Sequence, residues 1–259
     1  MAGKSVLIDV SKCIGCRGCQ VACKQWNELP AEKTKNRGTY QNPPDLSGMT
    51  YTVVRFKELS VGGEMKWNFF KDQCRHCVDP PCKMTADDEA PGAIVVDDNG
   101  CVVYTDKTKQ LKDLNEACPW DIPRWSDVKS EWVKCTFCHD RVANGLKPAC
   151  VKACPTGTLT FGDRDKIMAL AQKRLQDLGK SYPNAQLMDL EDVRWIYLLH
   201  EAEDRFEMGL LREVSKVKYG MKKVFSPMAP VWLTAGFLGM LFKRREEGMR
   251  REKENVEVS

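Results

Sequence analysis

Thirteen cysteines stand in this chain of 259 residues, and their spacing sorts twelve of them into four groups suited to holding metal. Cys13, Cys16, Cys19 and Cys23 form C-x2-C-x2-C-x3-C. Cys74, Cys77 and Cys82 form C-x2-C-x4-C, with Val78-Asp79-Pro80-Pro81 between the last two. Cys118 stands alone before Pro119. Cys135, Cys138, Cys150 and Cys154 form C-x2-C-x11-C-x3-C, closed by Pro155. Three thiolates on one tight loop suit three corners of a [4Fe–4S] cubane. In two-cluster runs of this spacing the fourth cysteine ligates the other cluster of the pair.

The missing cysteines follow a pattern of their own. Ferredoxin spacing requires a fourth thiol at position 86 of the second group, where Ala86 stands. Counted back from Cys118, the third group has Leu114, Leu111 and Thr108 in place of thiols. If groups two and three exchange their fourth ligands, all four missing positions belong to one cluster. The complementary set Cys74, Cys77, Cys82 and Cys118 is then complete. Groups one and four exchange in the same way, giving Cys13, Cys16, Cys19 with Cys154, and Cys135, Cys138, Cys150 with Cys23. Pairing group three with either of them strands Cys23 or Cys154. The nested exchange therefore predicts three [4Fe–4S] sites from twelve cysteines and leaves Cys101 over.

Two other uses of cysteine compete. Four-thiolate zinc sites also use C-x2-C pairs, but three cysteines within seven residues, set against a distant Cys-Pro, fit a cubane better than a tetrahedron. A disulfide framework fits poorly with an odd cysteine count, a long chain and no secretory pattern over Met1 to Val10. Cys101 follows the turn signal Asp98-Asn99-Gly100 and reads as a plain strand residue. No catalytic constellation is visible. Of three histidines, His76 and His139 lie in or beside cysteine loops and His200 ends an apolar run. They read as hydrogen-bonded or solvated side chains, with tuning of a cluster potential by charge as the sharper alternative. Trp26, Trp120 and Trp125 read as packing that keeps water from the clusters, and Pro119 and Pro155 as residues that fix the chain leaving the last ligand.

The elements that must position these loops are short. Ser5 to Val10, Thr158 to Phe161 and Val193 to Leu199 read as strands. Tyr51 to Glu58 and Lys66 to Phe70 flank Gly62-Gly63, and Ala93 to Val96 and Cys101 to Thr105 flank Asp97 to Gly100, so two hairpins are predicted. Asp163 is placed to cap a helix running to about Leu178. Phe206, Leu210, Leu211 and Val214 have the spacing of a further amphipathic helix. The net charge of +4 is mild and gives no support for nucleic-acid binding. Phe225 to Phe242 is eighteen residues without a charge between basic flanks. As a helix it would span roughly 27 Å, enough for a bilayer core; a hydrophobic arm docked on a partner is the alternative. Lys243 to Ser259 reads as a solvated charged tail.

The expected class is α+β: two ferredoxin-like cluster-binding modules with short β-hairpins and helices, plus a C-terminal helical extension. Residues 1–70 and 130–165 form the module for two clusters, and 71–129 an inserted, degenerate module for one. Residues 166–218 form a partner-docking segment, and 219–259 a membrane anchor and tail.

The segments C13-I-G-C-R-G-C-Q-V-A-C-K-Q-W26, Q41-N-P-P-D-L46, C74-R-H-C-V-D-P-P-C82, A117-C-P-W-D-I-P-R124 and the run from Cys138 to Thr158 resemble the iron–sulfur beta subunits of molybdenum- and tungsten-pterin oxidoreductases. Within that superfamily the chain is most similar to three-cluster beta subunits of formate dehydrogenases of sulfate-reducing bacteria. The likeness covers roughly residues 4–200. The extension to Ser259 departs from soluble members and resembles the C-terminal anchor of membrane-bound ones. The resemblance implies a non-catalytic relay of electrons between a pterin–metal catalytic subunit and a cytochrome c or cytochrome b. It implies export of the folded complex with the catalytic subunit, leaving the cluster domain periplasmic and membrane-associated. The same role beside a polysulfide or dimethyl-sulfoxide reductase, and a free ferredoxin-like carrier, are the readings left open, since substrate choice lives in another subunit.

Overall fold

Two apolar runs nearly 190 residues apart decide the centre of the fold. Val6, Leu7 and Ile8 in one, and Trp195 to Leu199 in the other, are buried on every residue. A strand that is apolar on both faces must be covered on both. In the computed structural model, which describes residues 3–208, these runs are β1 (Lys4–Asp9) and β10 (Trp195–Leu199). They pair in parallel, Val6 opposite Trp195 and Ile8 opposite Tyr197. β8 (Leu159–Asp163) joins antiparallel on the far side of β1, and β9 (Gln186–Met188) antiparallel on the far side of β10. The sheet order is β8-β1-β10-β9.

Alternation along the strands divides the two faces. Leu7, Ile196 and Leu198 point to α5 (Arg164–Gly179), where Ile167, Ala171 and Leu178 meet them at helical spacing. Val6, Ile8, Trp195, Tyr197 and Leu199 point the other way, into a core shared with Cys19, Cys150 and Cys154. One face of the sheet thus carries a helix and the other carries the cysteine loops.

The remaining elements hang on this frame. The longest hairpin pairs β2 (Thr52–Val61) with β3 (Glu64–Gln73) around Gly62 and Gly63, whose φ of 61° and 85° give the double positive-φ turn that suits strand twist. Its base is buried and its tip exposed. β2 is an edge strand, and two glutamine side chains satisfy its free donors: Gln20 Oε1 accepts from Val54 N–H and Gln41 Oε1 from Phe56 N–H. β4 (Ile94–Val96) pairs with β5 (Val102–Tyr104). β6 (Arg124–Ser126) pairs with β7 (Glu131–Val133), a hairpin the sequence did not announce. Four short helices carry or follow cysteines: α1 (Gly18–Trp26), α2 (Pro81–Glu89), α3 (His139–Ala143) and α4 (Ala149–Lys152). The described residues are α+β as expected.

Two local expectations change. Asp163 sits at the start of α5 but makes no capping hydrogen bond; its carboxylate is drawn instead to Lys4 and Lys166, at 2.7 and 3.0 Å. Phe206 does not open an amphipathic helix. It follows a 3-10 turn, Glu203–Arg205, in extended conformation and is buried against the rings of Phe70 and His200. Aromatic burial there outweighs the helical spacing. The rest of that stripe, the apolar run 225–242 and the tail lie outside the described residues. Among the described residues no helix is long and apolar enough to cross a membrane.

Candidate metal centres

One helical turn explains how each cysteine run can serve two sites. Residues four apart on a helix share a face but stand about 6 Å apart along the axis. Cys19 and Cys23 are so spaced on α1, and Cys150 and Cys154 on α4 and the turn that continues it. Cys19 interacts electrostatically with Cys13, Cys16 and Cys154. Cys23, one turn on, interacts instead with Cys135, Cys150 and Cys138. Cys77 interacts with Cys74, Cys118 and Cys82. These cysteines therefore lie near one another in groups to which the foursomes read from the spacing can be compared. They are also ordered, because Cys150 neighbours Cys19 and Cys135 neighbours Cys74.

The third neighbourhood repeats the scheme with half its thiols gone. Cys82 and Ala86 are four apart on α2, and Leu114 and Cys118 four apart across the 3-10 turn Leu114–Ala117. Cys82 and Cys118, with Cys74 and Cys77, line one small cavity walled by Tyr104 and Trp120 among others. Ala86, Leu111 and Leu114 do not line it and are buried in a single apolar cluster with Ala93, Ile94 and Cys82. Thr108 is fully buried, and its hydroxyl bonds back to the Thr105 carbonyl at 2.8 Å. The positions that lack thiols have become an ordinary core.

The C-x2-C loops share a backbone device. The residue just before the second cysteine has positive φ in all three: Gly15 at 64°, His76 at 48° and Phe137 at 59°. This left-handed residue curls each loop, and the amides of His76 and Phe137 point at the sulfurs of Cys74 and Cys135, each 3.4 Å away. Glycine is the only one of the three that needs no compensation. A side chain at Gly15 would also meet the Phe69 ring at 3.0 Å. His76 and Phe137 are instead held by complete burial. The His76 ring accepts from Val102 N–H at Nδ1, so Nε2 carries the proton and donates to the Cys135 carbonyl. Burial, reinforced by nearby Lys134, pushes its pKa well down and keeps it neutral. It ties two cysteine loops together as a hydrogen-bonded side chain rather than a charge.

The donors fit a cubane. Burial pushes Cys19, Cys82, Cys135, Cys138 and Cys150 up to about 11, so these are neutral thiols until metal takes the proton. Cys154 is the exception: burial works against its charge, but the amide of Leu159 and the hydroxyl of Thr156 bring its pKa down. No group of three or more such side chains among the described residues closes on a single ion. Tetrahedral zinc draws its sulfurs to about 2.3 Å from one point, whereas a cubane spreads them over its corners. Cation placement fits as well. Lys71, Arg75 and Lys134 are buried beside these loops. Arg75 lies over the rings of Tyr197, Phe70 and Trp120, 4.2, 5.2 and 5.7 Å from their centroids. Lys134 donates to the carbonyls of Val102 and Cys135. Anionic clusters bound in these loops would supply the counter-charge for such cations. Nothing in the sequence distinguished these three from surface lysines and arginines.

Other site expectations divide. Trp120 is buried in the wall of the third site, but Trp26 and Trp125 are about two-fifths exposed and shield little. Trp26 is held at the surface by Asp140, which accepts from its Nε1, and by Arg141 over its ring. Trp125 stacks edge-on with Trp132 across the β6–β7 hairpin. Cys101 is buried just before β5, its amide bonded to Asp97. Cys101→Ser is expected to leave the iron content unchanged; loss of four iron per chain, by metal analysis, would place it in a ligand set.

Buried thiols in cubane-type loops on an α+β frame define an iron–sulfur electron-transfer protein, and residues 65–164 match the 4Fe-4S dicluster domain family. The chain is 49% identical over 210 residues to the beta subunit of formate dehydrogenase 2 (cytochrome c-553) of Nitratidesulfovibrio vulgaris, covering 78% of this chain and 96% of that one. It is 49% identical over 199 residues to the formate dehydrogenase beta subunit of Megalodesulfovibrio gigas, covering 75% and 93%. Over 261 residues it is 38% identical to the formate dehydrogenase-O iron-sulfur subunit of Escherichia coli, covering 96% and 86%. The chain belongs to the formate dehydrogenase beta, or iron–sulfur, subunit family. It is the electron-transfer subunit of such a complex, carries [4Fe–4S] clusters and works beside a catalytic subunit.

Proposed function

We propose that the chain is a three-centre wire. Cys13, Cys16, Cys19 and Cys154 hold the first [4Fe–4S] cluster, Cys23, Cys135, Cys138 and Cys150 the second, and Cys74, Cys77, Cys82 and Cys118 the third. The supporting observation is the grouping of twelve cysteines into three neighbourhoods linked in one order, with the positions of a fourth centre filled by Ala86, Thr108, Leu111 and Leu114. A bound cubane gives or takes one electron. The protein keeps water away, orders the thiolates and supplies amides and buried cations around them. Losing an internal centre would break a wire whose tunnelling rate falls steeply with distance, so the centre that disappeared was terminal. Electrons from formate oxidation then leave from the third site, and they arrive at the first, where Cys16 is exposed. Residues 1–70 with 130–165 form a ferredoxin-like module for two centres, 71–129 a second module for one, and 166–218 a segment docked on partners. The test is metal analysis of the purified complex, with about twelve iron and twelve labile sulfide expected per chain. About sixteen would require a fourth cluster and overturn the assignment.

The acceptor is a cytochrome, either a c type or a membrane cytochrome b. The printed name of the Nitratidesulfovibrio relative includes cytochrome c-553, which supports the former. Residues 225–242 anchor the chain in a membrane, with the cluster domain periplasmic after export of the folded complex and the basic tail at Lys243, Arg244 and Arg245 inside. Truncation after Lys223 is expected to release an active complex from membranes. A truncated chain that still sediments with them would make 225–242 a partner-docking arm.

A further inference from the structure

Lys71 has the burial of a core residue and no carboxylate beside it. Its side chain is 3% exposed, on β3 opposite Val54. The ammonium donates to Thr52 Oγ1 at 2.9 Å and lies 5.0 Å from the Trp195 ring centroid. Asp72, next in the chain, is engaged by Arg55, and Lys71 makes no ion pair among the described residues. One hydrogen bond and one ring do not offset the desolvation of a buried ammonium. The charge that does so must come from the sulfurs. Lys71 acts on Cys13 and Cys19 of the first set and on Cys23, Cys135 and Cys150 of the second. Cys150, Cys19 and Cys135 lead the cysteines acting on it, and bound to clusters they would supply the negative charge. Among the described residues no other buried cation is a leading influence on cysteines of both sets.

We propose that Lys71 is the shared counter-charge of the first two centres and sets the reduction potentials of both. It is a positioning residue for electrons: it touches no substrate and acts through the centres on either side of it. The proposal rests on the ligand sets given above. Each transfer adds one electron, drawn from formate oxidation in the catalytic subunit, and later passes it to the acceptor. Its arrival makes a centre one unit more negative. A fixed positive charge within the same low-dielectric core favours that state, and no proton need move. Raising both potentials together keeps the first two steps of the wire level with each other.

The test is an anaerobic redox titration of the complete complex, read by electron paramagnetic resonance and accompanied by metal analysis. In Lys71→Met the iron stays at the wild-type level and two of three centres become harder to reduce. At a fixed poise their ratio of reduced to oxidised form falls about tenfold, or about 59 mV for one electron. The third centre does not move, and Lys71→Arg keeps both potentials near wild type. Unmoved potentials at full iron, a shift confined to the third centre, or a shift in Lys71→Arg as large as in Lys71→Met would each overturn the proposal. If Lys71→Met loses iron, Lys71→Gln is titrated in its place; iron loss from both would make Lys71 an assembly residue and reject the potential-setting role. A wrong set of ligands shows separately, in the wild type, as an iron content or number of paramagnetic centres that departs from three clusters.

Discussion

The Cys118→Ala variant keeps about eight of about twelve iron atoms per chain and loses the centre built on Cys74, Cys77 and Cys82. Cys118 lines the same cavity as Cys74, Cys77 and Cys82, so removing it takes away the corner that no neighbour can supply. The one spare thiol, Cys101, is packed in the other core with Val6 and Phe137. The first two centres share no ligand with the third and stay spectroscopically intact. Formate oxidation with an artificial dye that takes electrons upstream continues, while reduction of the cytochrome acceptor falls to background because the last step is gone. Retention of all iron, or loss of iron from the first two centres, would show that the sets are exchanged differently.

A second large effect lies away from the cysteines. Asp72→Ala is expected to destabilise the subunit by about 3–5 kcal/mol. Asp72 is 1% exposed and accepts from Arg55 Nε at 2.8 Å, inside the buried base of the β2–β3 hairpin. Without it Arg55 keeps only Asp45, a half-exposed carboxylate at 2.5 Å that also binds Arg124. A buried guanidinium is then short of a counter-charge. The loss appears as a lower guanidinium midpoint, followed by tryptophan fluorescence and by the visible absorbance of the clusters. Replacing both partners, Arg55→Met with Asp72→Leu, recovers most of the stability, because an apolar pair leaves no charge unpaired. If the double variant is no more stable than Asp72→Ala, lost packing rather than lost charge explains the effect. The same hairpin carries Lys71, so the single variant also asks whether cluster retention depends on its base.

How much of this was legible follows from which interactions are local. The cluster-binding class was, because a cubane demands three thiolates on one short loop; the proposed sets rest on the missing thiols at Ala86, Thr108, Leu111 and Leu114, which leave only one exchange without orphans. The two hairpins around Gly62-Gly63 and Asp97 to Gly100 were legible from turn chemistry, and α5 from its apolar spacing. The β6–β7 hairpin was not, since three-residue strands carry too little pattern. The cap expected of Asp163 failed because Lys4, 159 residues away, reaches the same carboxylate. Phe206 failed as a helix start because its spacing is local and its burial against Phe70 is not.

By itself the sequence marked this chain as a carrier of [4Fe–4S] clusters and named the candidate cysteines, since ligand type and spacing are properties of adjacent residues. The tertiary structure decided what surrounds them. It set Lys71 beside cysteines of two groups, His76 as a neutral tie between two loops, and Arg55 with Asp72 beneath a hairpin. Burial and charge pairing arise when distant segments close on one another, and a lysine bound for the core is written with the same letter as one bound for water.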